Sequence, residues 1–491
     1  MELEEERCWR AVQSRDPRFD GWFYSAVVTT SIYCRPSCPA RPHRVNLRFF
    51  RSAAAAQAAG FRACKRCRPD AVPGSPEWNA RGDIVARAMR LIADGVVDRE
   101  GVDGLAKRLG YTTRHVHRML TEELGAGPQA LARAQRAHTA RLLLETTSLK
   151  MAEVAFAAGF ASVRQFNDTV REIYALTPTQ VRGPGLDRER RPAGTLTLRL
   201  PYRRPLHAGA ALGFLAQRAV AGVESCDGAG YERSLALPHG HAVVRLAPTG
   251  DHVTATLRLD DVRDLATAVH RARRLLDLDA DPVAIDEQLG ADPTLSRLVA
   301  DSPGLRVPGY ADPAESAIRA VIGQQVSVAG ARTTTARLVT TLGAPLVNPD
   351  GGITHAFPTV EALAGVDPDS LPMPRSRGRA LHGLAAALAD GRICLDPGAD
   401  RTEAAHRLLA LPGIGPWTAA YVALRGLGDP DTFLSTDLGI RRALERLGRP
   451  TAAPAVEALS EHWRPWRSYA VMHLWQSLHD LARTPIGAVP A

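Results

Sequence analysis

Four of the chain's seven cysteines fall close together, as Cys34-x3-Cys38 and Cys64-x2-Cys67. No other feature constrains the fold so sharply, because thiol pairs at these spacings predict one tetrahedral zinc-thiolate site. Residues 31 to 69 around them carry Arg35, Arg41, Arg44, Arg48, Arg51, Arg62, Lys65, Arg66 and Arg68 and no acid, a setting that faces a polyanion. Cys8, Cys226 and Cys394 stand singly. Scattered thiols argue against a secreted disulfide framework and for a cytoplasmic location.

A length of 491 residues exceeds one ordinary core. The formal net charge of +9 is unevenly placed: residues 1 to 182 hold 28 Lys plus Arg against 19 Asp plus Glu, and residues 183 to 491 hold 33 of each. The surplus therefore lies in the N-terminal third, where it draws nucleic acid. No apolar run reaches transmembrane length and no signal-peptide pattern opens the chain, so no membrane is expected as a partner.

Breaker-rich stretches at Pro69 to Pro76 and from Gly183 to Pro192 read as linkers. Between them Val102 to Leu120 and Met151 to Tyr174 share one pattern: an alanine-rich helix, Gly110 or Gly159 in the turn, and a second helix capped near Thr112 or Ser162. This is a helix-turn-helix written twice. An ordinary αα-hairpin is the plain alternative, but two copies in the basic part of the chain favour DNA. Thr113, Arg114, His115, His117 and Arg118 in the first unit, and Ser162, Arg164, Gln165 and Asn167 in the second, are the groove-facing candidates. With Ala158-Gly159-Phe160 and closing Leu176-Thr177-Pro178, the second unit resembles the AraC-type transcription-factor module, which docks two recognition helices on promoter DNA.

The cysteine block, Thr29 to Cys38 with Ala59 to Cys67, is similar to the metal-binding domain of Ada-type methylation-response proteins. That resemblance implies that Cys34, besides ligating Zn2+ with Cys38, Cys64 and Cys67, takes a methyl group from a DNA methylphosphotriester. Four thiolates on one zinc ion carry a net charge near minus two, which keeps sulfur nucleophilic at neutral pH. Methylation removes one negative charge beside the phosphate backbone and raises DNA affinity. A purely structural zinc finger is the alternative, since spacing supports zinc and only resemblance selects Cys34.

From residue 193 the pattern becomes that of an antiparallel sheet, with strands expected at Thr195 to Leu200, Arg218 to Val223, Ser234 to Leu237, His241 to Leu246 and His252 to Leu259, then a helix from Asp261 to Leu276. Beyond about residue 280 the chain reads as helical, with breakers at Pro282, Pro293, Pro303 and Pro308. There Leu411-Pro412-Gly413-Ile414-Gly415-Pro416-Trp417-Thr418-Ala419 forms a tight hairpin between helices, whose amides are a seat for DNA phosphate. Asp437 follows Trp417 by twenty residues.

Hairpin, spacer and aspartate together resemble the helix-hairpin-helix base-excision glycosylases, in which the aspartate is catalytic. Gly323 to Val328, Pro416 to Tyr421 and Trp466 to Trp475 narrow the resemblance to the AlkA-type 3-methyladenine DNA glycosylase II over residues 193 to 480. It implies a base pocket lined by Trp417, Tyr421 and Trp475, DNA contacts at Gly413, Gly415 and Thr418, and Gln325 where the family's better-known form carries an apolar wedge. Asp437 serves equally well as a helix N-cap, and the tryptophans as core.

An alkylated purine is cationic, so it leaves neutral and needs little acid catalysis. Aromatic faces select it, and one carboxylate stabilises the sugar oxocarbenium ion or orients water. Lys65, Lys107 and Lys150 are the only lysines, so a lysine Schiff base is impossible in the glycosylase half and the enzyme is expected to be monofunctional. No cysteine follows Cys394, which excludes an iron-sulfur cluster.

The expected architecture is thus multidomain, mainly α with α+β: a small four-cysteine zinc domain (1–75), an AraC-like double helix-turn-helix (80–183), an antiparallel α+β domain (193–278) and a helical helix-hairpin-helix glycosylase domain (279–491). The expected partners are alkylated double-stranded DNA, promoter sites and RNA polymerase, approached as a monomer. Two readings compete with the fused sensor, activator and glycosylase. One is a non-enzymatic methylation-responsive regulator with an inactive glycosylase domain; the other is a glycosylase whose N-terminal region only targets DNA.

Overall fold

The computed structural model describes residues 4–40, 42–69, 83–183 and 195–483. Except for Pro69 and Gly183, both expected linkers lie outside the described residues. The chain divides into two compact units, Met1–Tyr202 with Glu232–Arg273, and Arg203–Tyr231 with Arg274–Ala491. Among the described residues no helix is long and apolar enough to cross a membrane.

The first unit begins with the helix Glu5–Ser14 and a small sheet of β1 (Tyr24–Val27), β2 (Ile32–Cys34), β3 (Leu47–Phe50) and β4 (Arg62–Ala63), in the order β3-β1-β2-β4. β1 and β2 pair antiparallel across a short turn, whereas β2 and β4 run parallel with Tyr33 opposite Ala63. The parallel return is made by the helix Ala53–Ala58, whose first turn is capped by the Ser52 hydroxyl.

The double helix-turn-helix follows. Gly101 breaks the first helix with φ 71°, so the paired element begins at Val102 as expected; Gly110 then turns the chain at φ 80° and Thr112 caps Thr113–Leu124. Val116, Leu120 and Leu124 recur every fourth residue and are buried, the spacing that puts one helical face on a core. Truncating Leu120 to alanine would cost about 2–5 kcal/mol. The second copy repeats the plan with Met151–Ala157, Gly159 at φ 85° and Ser162 capping Val163–Tyr174. The helix Pro128–Thr146 joins the copies, and its Arg136 reaches the Asp98 carboxylate at 2.5 Å.

β5 (Thr195–Pro201), β7 (Tyr231–Leu237), β8 (Gly240–Pro248) and β9 (His252–Leu259) form the larger sheet, with β9 between β5 and β8; β6 (Glu224–Cys226) belongs to the second unit. Leu196, Leu198 and Leu200 alternate inward, facing the same layer as Val253, Ala255 and Leu257. The helix Leu265–Leu275 follows. Its buried Thr267 donates to the Asp94 carbonyl at 2.9 Å and accepts from Arg99 at 3.0 Å, so sheet and helix-turn-helix region share one polar seam inside the first unit.

Arg218 to Val223 is not the strand that its apolar run suggested. Arg218 ends a helix, Ala208–Arg218, and Gly222 at φ 88° turns the chain while Glu224 N–H closes on the Val220 carbonyl at 2.7 Å. A glycine held left-handed cannot continue extended backbone with its neighbours.

In the second unit, helices Pro282–Gly290, Ser296–Asp301, Pro313–Ile322, Val328–Leu342, Arg375–Ala389, Arg401–Leu409, Leu438–Arg446, Ala453–Ser460 and Arg467–Arg483 dominate, with an unanticipated hairpin of Pro345–Asp350 and Ile353–His355. Two apolar clusters hold it. One gathers Ile440, Leu444, Trp463 and Leu474, and the other gathers Ile318, Leu381, Leu384 and Val422.

Candidate functional site

The cysteines meet because β2 and β4 run side by side. Cys34 ends β2, Cys64 follows β4, and Cys64 N–H donates to the Tyr33 carbonyl at 3.0 Å. Each pair then closes its own turn: Cys38 N–H reaches the Arg35 carbonyl, and Arg68 N–H the Cys64 carbonyl. Asp20 braces the first turn, accepting from Ser37 N–H at 3.0 Å and Ser37 Oγ at 2.6 Å, with Arg35 at 3.4 Å.

The four Sγ atoms lie within 4.8 Å of one another, close to the spacing of about 3.8 Å that a tetrahedron with 2.3 Å bonds requires. Thiol hydrogen bonds from Cys34 and Cys67 pull Cys38 down to about 2, and Cys34, in giving hydrogen bonds to Cys38 and Cys67, is pushed up. Sulfurs so near one another cannot all ionise without a cation between them. The donor set and its spacing fit Zn2+, which this site binds. Cys34, Cys38 and Cys67 are buried and Cys64 is half-buried.

On the recognition helices, Arg114, His117, Arg118, Arg164 and Gln165 are exposed, Ser162 is exposed at the cap, and Thr113, His115 and Asn167 are half-buried. Arg164 keeps 93% of its side chain in solvent. Exposed Tyr111 stacks on His115 with centroids 4.8 Å apart. Sequence reasoning passed over Tyr111, although a solvent-facing aromatic in a turn before a recognition helix is itself a signal.

In the second unit the expected pocket residues do come together. Asp437 caps Leu438–Arg446, its Oδ1 accepting from Ile440 N–H at 2.9 Å. The same carboxylate accepts from both indoles: Trp475 Nε1–H to Oδ1 at 3.0 Å and Trp417 Nε1–H to Oδ2 at 2.9 Å. Trp417 stacks on Tyr421 at 5.2 Å, and Tyr421 stands 6.4 Å from Trp475 with rings inclined by 44°. N-cap and pocket residue are thus one side chain, and Oδ2 keeps a lone pair free of the helix amide.

Other residues complete this site. Phe214 stacks beneath Trp475 at 6.0 Å, and Arg425 donates to the Tyr421 hydroxyl at 3.1 Å. A Cβ on Gly439 would stand 3.0 Å from Asp437 Oδ1 and 3.3 Å from Trp475 Cδ1, so this position admits little more than hydrogen. Phe214 and Arg425 carried no motif in the sequence; Gly439, two residues past the aspartate, was readable as a close approach.

Gly413 turns the hairpin at φ 83°, packed so closely on Ala380 that a Cβ would lie 2.7 Å from its methyl. Gly413 is exposed and Gly415 half-buried, but Thr418 is turned inward, 2% exposed, its Oγ1 accepting from Gln324 at 2.9 Å. Gln324 also donates to the Gly413 carbonyl at 2.9 Å. Next to it Gln325 is exposed at φ 55°, a left-handed conformation that a non-glycine residue adopts at a cost.

Family models match in chain order: the metal binding domain of Ada over residues 7–70, a helix-turn-helix domain over 105–183, the AlkA N-terminal domain over 197–312, and the HhH-GPD superfamily base excision DNA repair protein over 318–468. The probable bifunctional transcriptional activator/DNA repair enzyme AlkA of Mycobacterium tuberculosis (strain H37Rv) is 56% identical over 485 residues, 98% of either chain. DNA-3-methyladenine glycosylase 2 of Escherichia coli (strain K12) is 39% identical over 54% of this chain and 91% of its own. Among solved structures, a 3-methyladenine DNA-glycosylase from Archaeoglobus fulgidus shares the fold at TM-score 0.51, with 20% identity, over 58% of this chain and 99% of that one.

Proposed function

Because the chain belongs to the family of bifunctional transcriptional activator/DNA repair enzymes that includes AlkA of M. tuberculosis, we propose that it is a monofunctional DNA-3-methyladenine glycosylase fused to a methylation-switched activator. The observation that carries the enzymatic half is the Asp437 carboxylate, held by two indole N–H groups at 2.9 and 3.0 Å among stacked rings. An extruded cationic purine stacks on Trp417, Tyr421 and Trp475. Its C1′–N bond breaks with the electron pair passing to the base, which leaves neutral. Asp437 faces the positive charge that develops on the sugar, and its bonds to fixed indoles hold it in place. Water adds its oxygen to C1′ and gives up a proton to solvent, leaving an abasic site. Gln325 enters the space of the extruded base, and Gly413 and Gly415 seat the hairpin on the backbone, while the inward Thr418 braces the hairpin through Gln324.

Purified protein and Asp437→Asn are compared for release of 3-methyladenine from methylated duplex DNA by chromatography. The mutant is expected to lose release by on the order of a thousandfold. No release by a wild-type preparation that binds DNA and holds zinc would leave the non-enzymatic regulator in its place.

For the sensing half, residues 1–75 form the methyl acceptor and 80–183 the promoter reader, with 193–278 and 279–491 as the repair half. Zinc keeps the four sulfurs as thiolates. Cys34 Sγ attacks the methyl carbon of a methylphosphotriester, the carbon–oxygen bond breaks, and the phosphodiester leaves as an anion. The lost negative charge lets Arg114, His115, Arg118, Arg164 and Gln165 hold promoter DNA more tightly and bring in RNA polymerase. Since Cys34 is 5% exposed and Cys64 more open, peptide mass spectrometry after reaction with methylated DNA is the direct check. A methyl group on Cys34 is expected; a methyl group on Cys64 instead would reassign the acceptor.

A further inference from the structure

Behind the pocket rings, two buried guanidinium groups converge on one phenol with no carboxylate partner of their own among the described residues. Three arginines surround Tyr421. Arg425, 2% exposed, donates to its hydroxyl and packs its guanidinium 4.5 Å from the Phe214 centroid and 4.8 Å from that of Tyr310. Arg218 lies 3.7 Å over Phe214 and hydrogen-bonds the Tyr421 phenol. Arg319 donates to the Arg218 carbonyl at 2.5 Å and pairs with Glu224 at 2.8 Å and Glu315 at 2.9 Å.

The groups facing Tyr421 are thus Arg425 from the turn after it, Arg218 from Ala208–Arg218, Arg319 and Glu315 from Pro313–Ile322, Tyr310 before that helix, and Asp437 beyond Trp417; Glu224 stands behind Arg319. The Asp437 carboxylate is hydrogen-bonded to the two indoles and a helix amide, and both remaining carboxylates pair with Arg319. Among the described residues Arg218 and Arg425 thus reach main-chain carbonyls and the Tyr421 phenol but no carboxylate, a costly burial for two guanidinium groups.

Two groups could relieve it, and they differ greatly in cost. Arginine holds its proton far more tightly than tyrosine does. Burial alone would raise the Tyr421 phenol, but Arg425, Arg218 and Arg319 outweigh burial and hold it below the ordinary tyrosine range. Burial pushes Tyr310 up, so Tyr310 stays protonated and donates to Tyr421. Guanidinium groups without a counter-ion behind these rings would also weaken the attraction of their faces for a cation.

We infer that Tyr421 works as an arginine-held phenolate, the anionic wall by which this pocket prefers a cationic alkylpurine to a neutral lesion. The inference rests on the reading of the pocket as the seat of an alkylated base. Its proton is released to solvent, and no other reactant is needed.

The test follows tyrosinate difference absorbance, full-length wild type against Tyr421→Phe, from about pH 6 to about pH 10. Release of 3-methyladenine and of ethenoadenine, a neutral lesion, from duplex DNA is measured over the same range. One tyrosinate is expected to form below the ordinary tyrosine range. Through that transition 3-methyladenine kcat/KM rises on the order of tenfold, ethenoadenine release does not, and Tyr421→Phe shows neither signal nor rise. A rise that survives in Tyr421→Phe overturns the inference. If Tyr421→Phe does not fold, Arg425→Lys is titrated instead: the tyrosinate transition must move to higher pH, and an unmoved transition also overturns it. Absence of base release by the wild type sinks the pocket reading and the selectivity with it, whereas release without an early tyrosinate sinks the phenolate alone.

Discussion

The sulfur cluster and the carboxylate pocket are built on opposite plans. Two short segments, brought together by three-residue β2 and two-residue β4, supply every sulfur. The pocket draws Phe214, Trp417, Tyr421, Asp437 and Trp475 from widely separated elements. A cation organises the first, and in the second the core of a whole unit holds each ring at its angle. The metal site should therefore fail when its ion is lost, and the pocket when packing around it shifts.

Cys38→Ala gives the largest effect expected of that contrast. It should abolish stoichiometric zinc and the metal-linked stabilisation of the N-terminal domain, on the order of 10 kcal/mol, while base release is unchanged; elemental analysis, calorimetry and chromatography check the three. Retained zinc would contradict the four-thiolate site, and lost release would break the independence of the two centres. Asp437→Asn is the reciprocal case, with zinc content unchanged while release falls.

Acid sharpens the comparison further. Burial pulls His473, 1% exposed, down to about 4 from an ordinary value of 6.5. A depressed value means the neutral ring is favoured in the folded state, so this contribution is complete above about pH 6.5 and is lost as pH falls through about 4. It amounts to about 3 kcal/mol, and calorimetry of His473→Leu should show a flatter acid limb than the wild type. The zinc site fails in acid for another reason, protonation of its thiolates. The smallest effect is assigned to Gly439→Ala. Its methyl must displace either the carboxylate or the indole edge, at a cost of about 1–2 kcal/mol, so release should fall roughly tenfold with zinc retained; unchanged release would show that the pocket adapts.

The same contrast decides what could be read from the chain. Cysteine spacing pointed to the four thiols that the structure gathers, and the resemblance carried by the hairpin and its following aspartate pointed to Asp437 and Trp417, which the structure joins by a hydrogen bond. Glycines at 110 and 159 and caps at 112 and 162 placed both helix-turn-helix units because their information is local. The parallel pairing of β2 with β4 left no trace in any pattern, since it depends on where a helix of six residues returns the chain. Phe214 and Arg218 were hidden for a similar reason: they lie in a helix, Arg218 at its end, whose continuation from Val220 to Val223 reads like a strand until Gly222 bends it. Arg425 and Tyr310 matter only through rings that a reader of sequence cannot yet see beside them.

The seam of Thr267 with Asp94 and Arg99 bears on how such a chain could be taken apart. Sequence motifs put a junction between the regulatory and repair regions near residue 190. The seam ties the sheet that follows this junction to the helix-turn-helix region within one compact unit. Separating the two at that junction would strip a buried threonine of its partners, so the boundary drawn by motifs is not a line along which the folded protein divides.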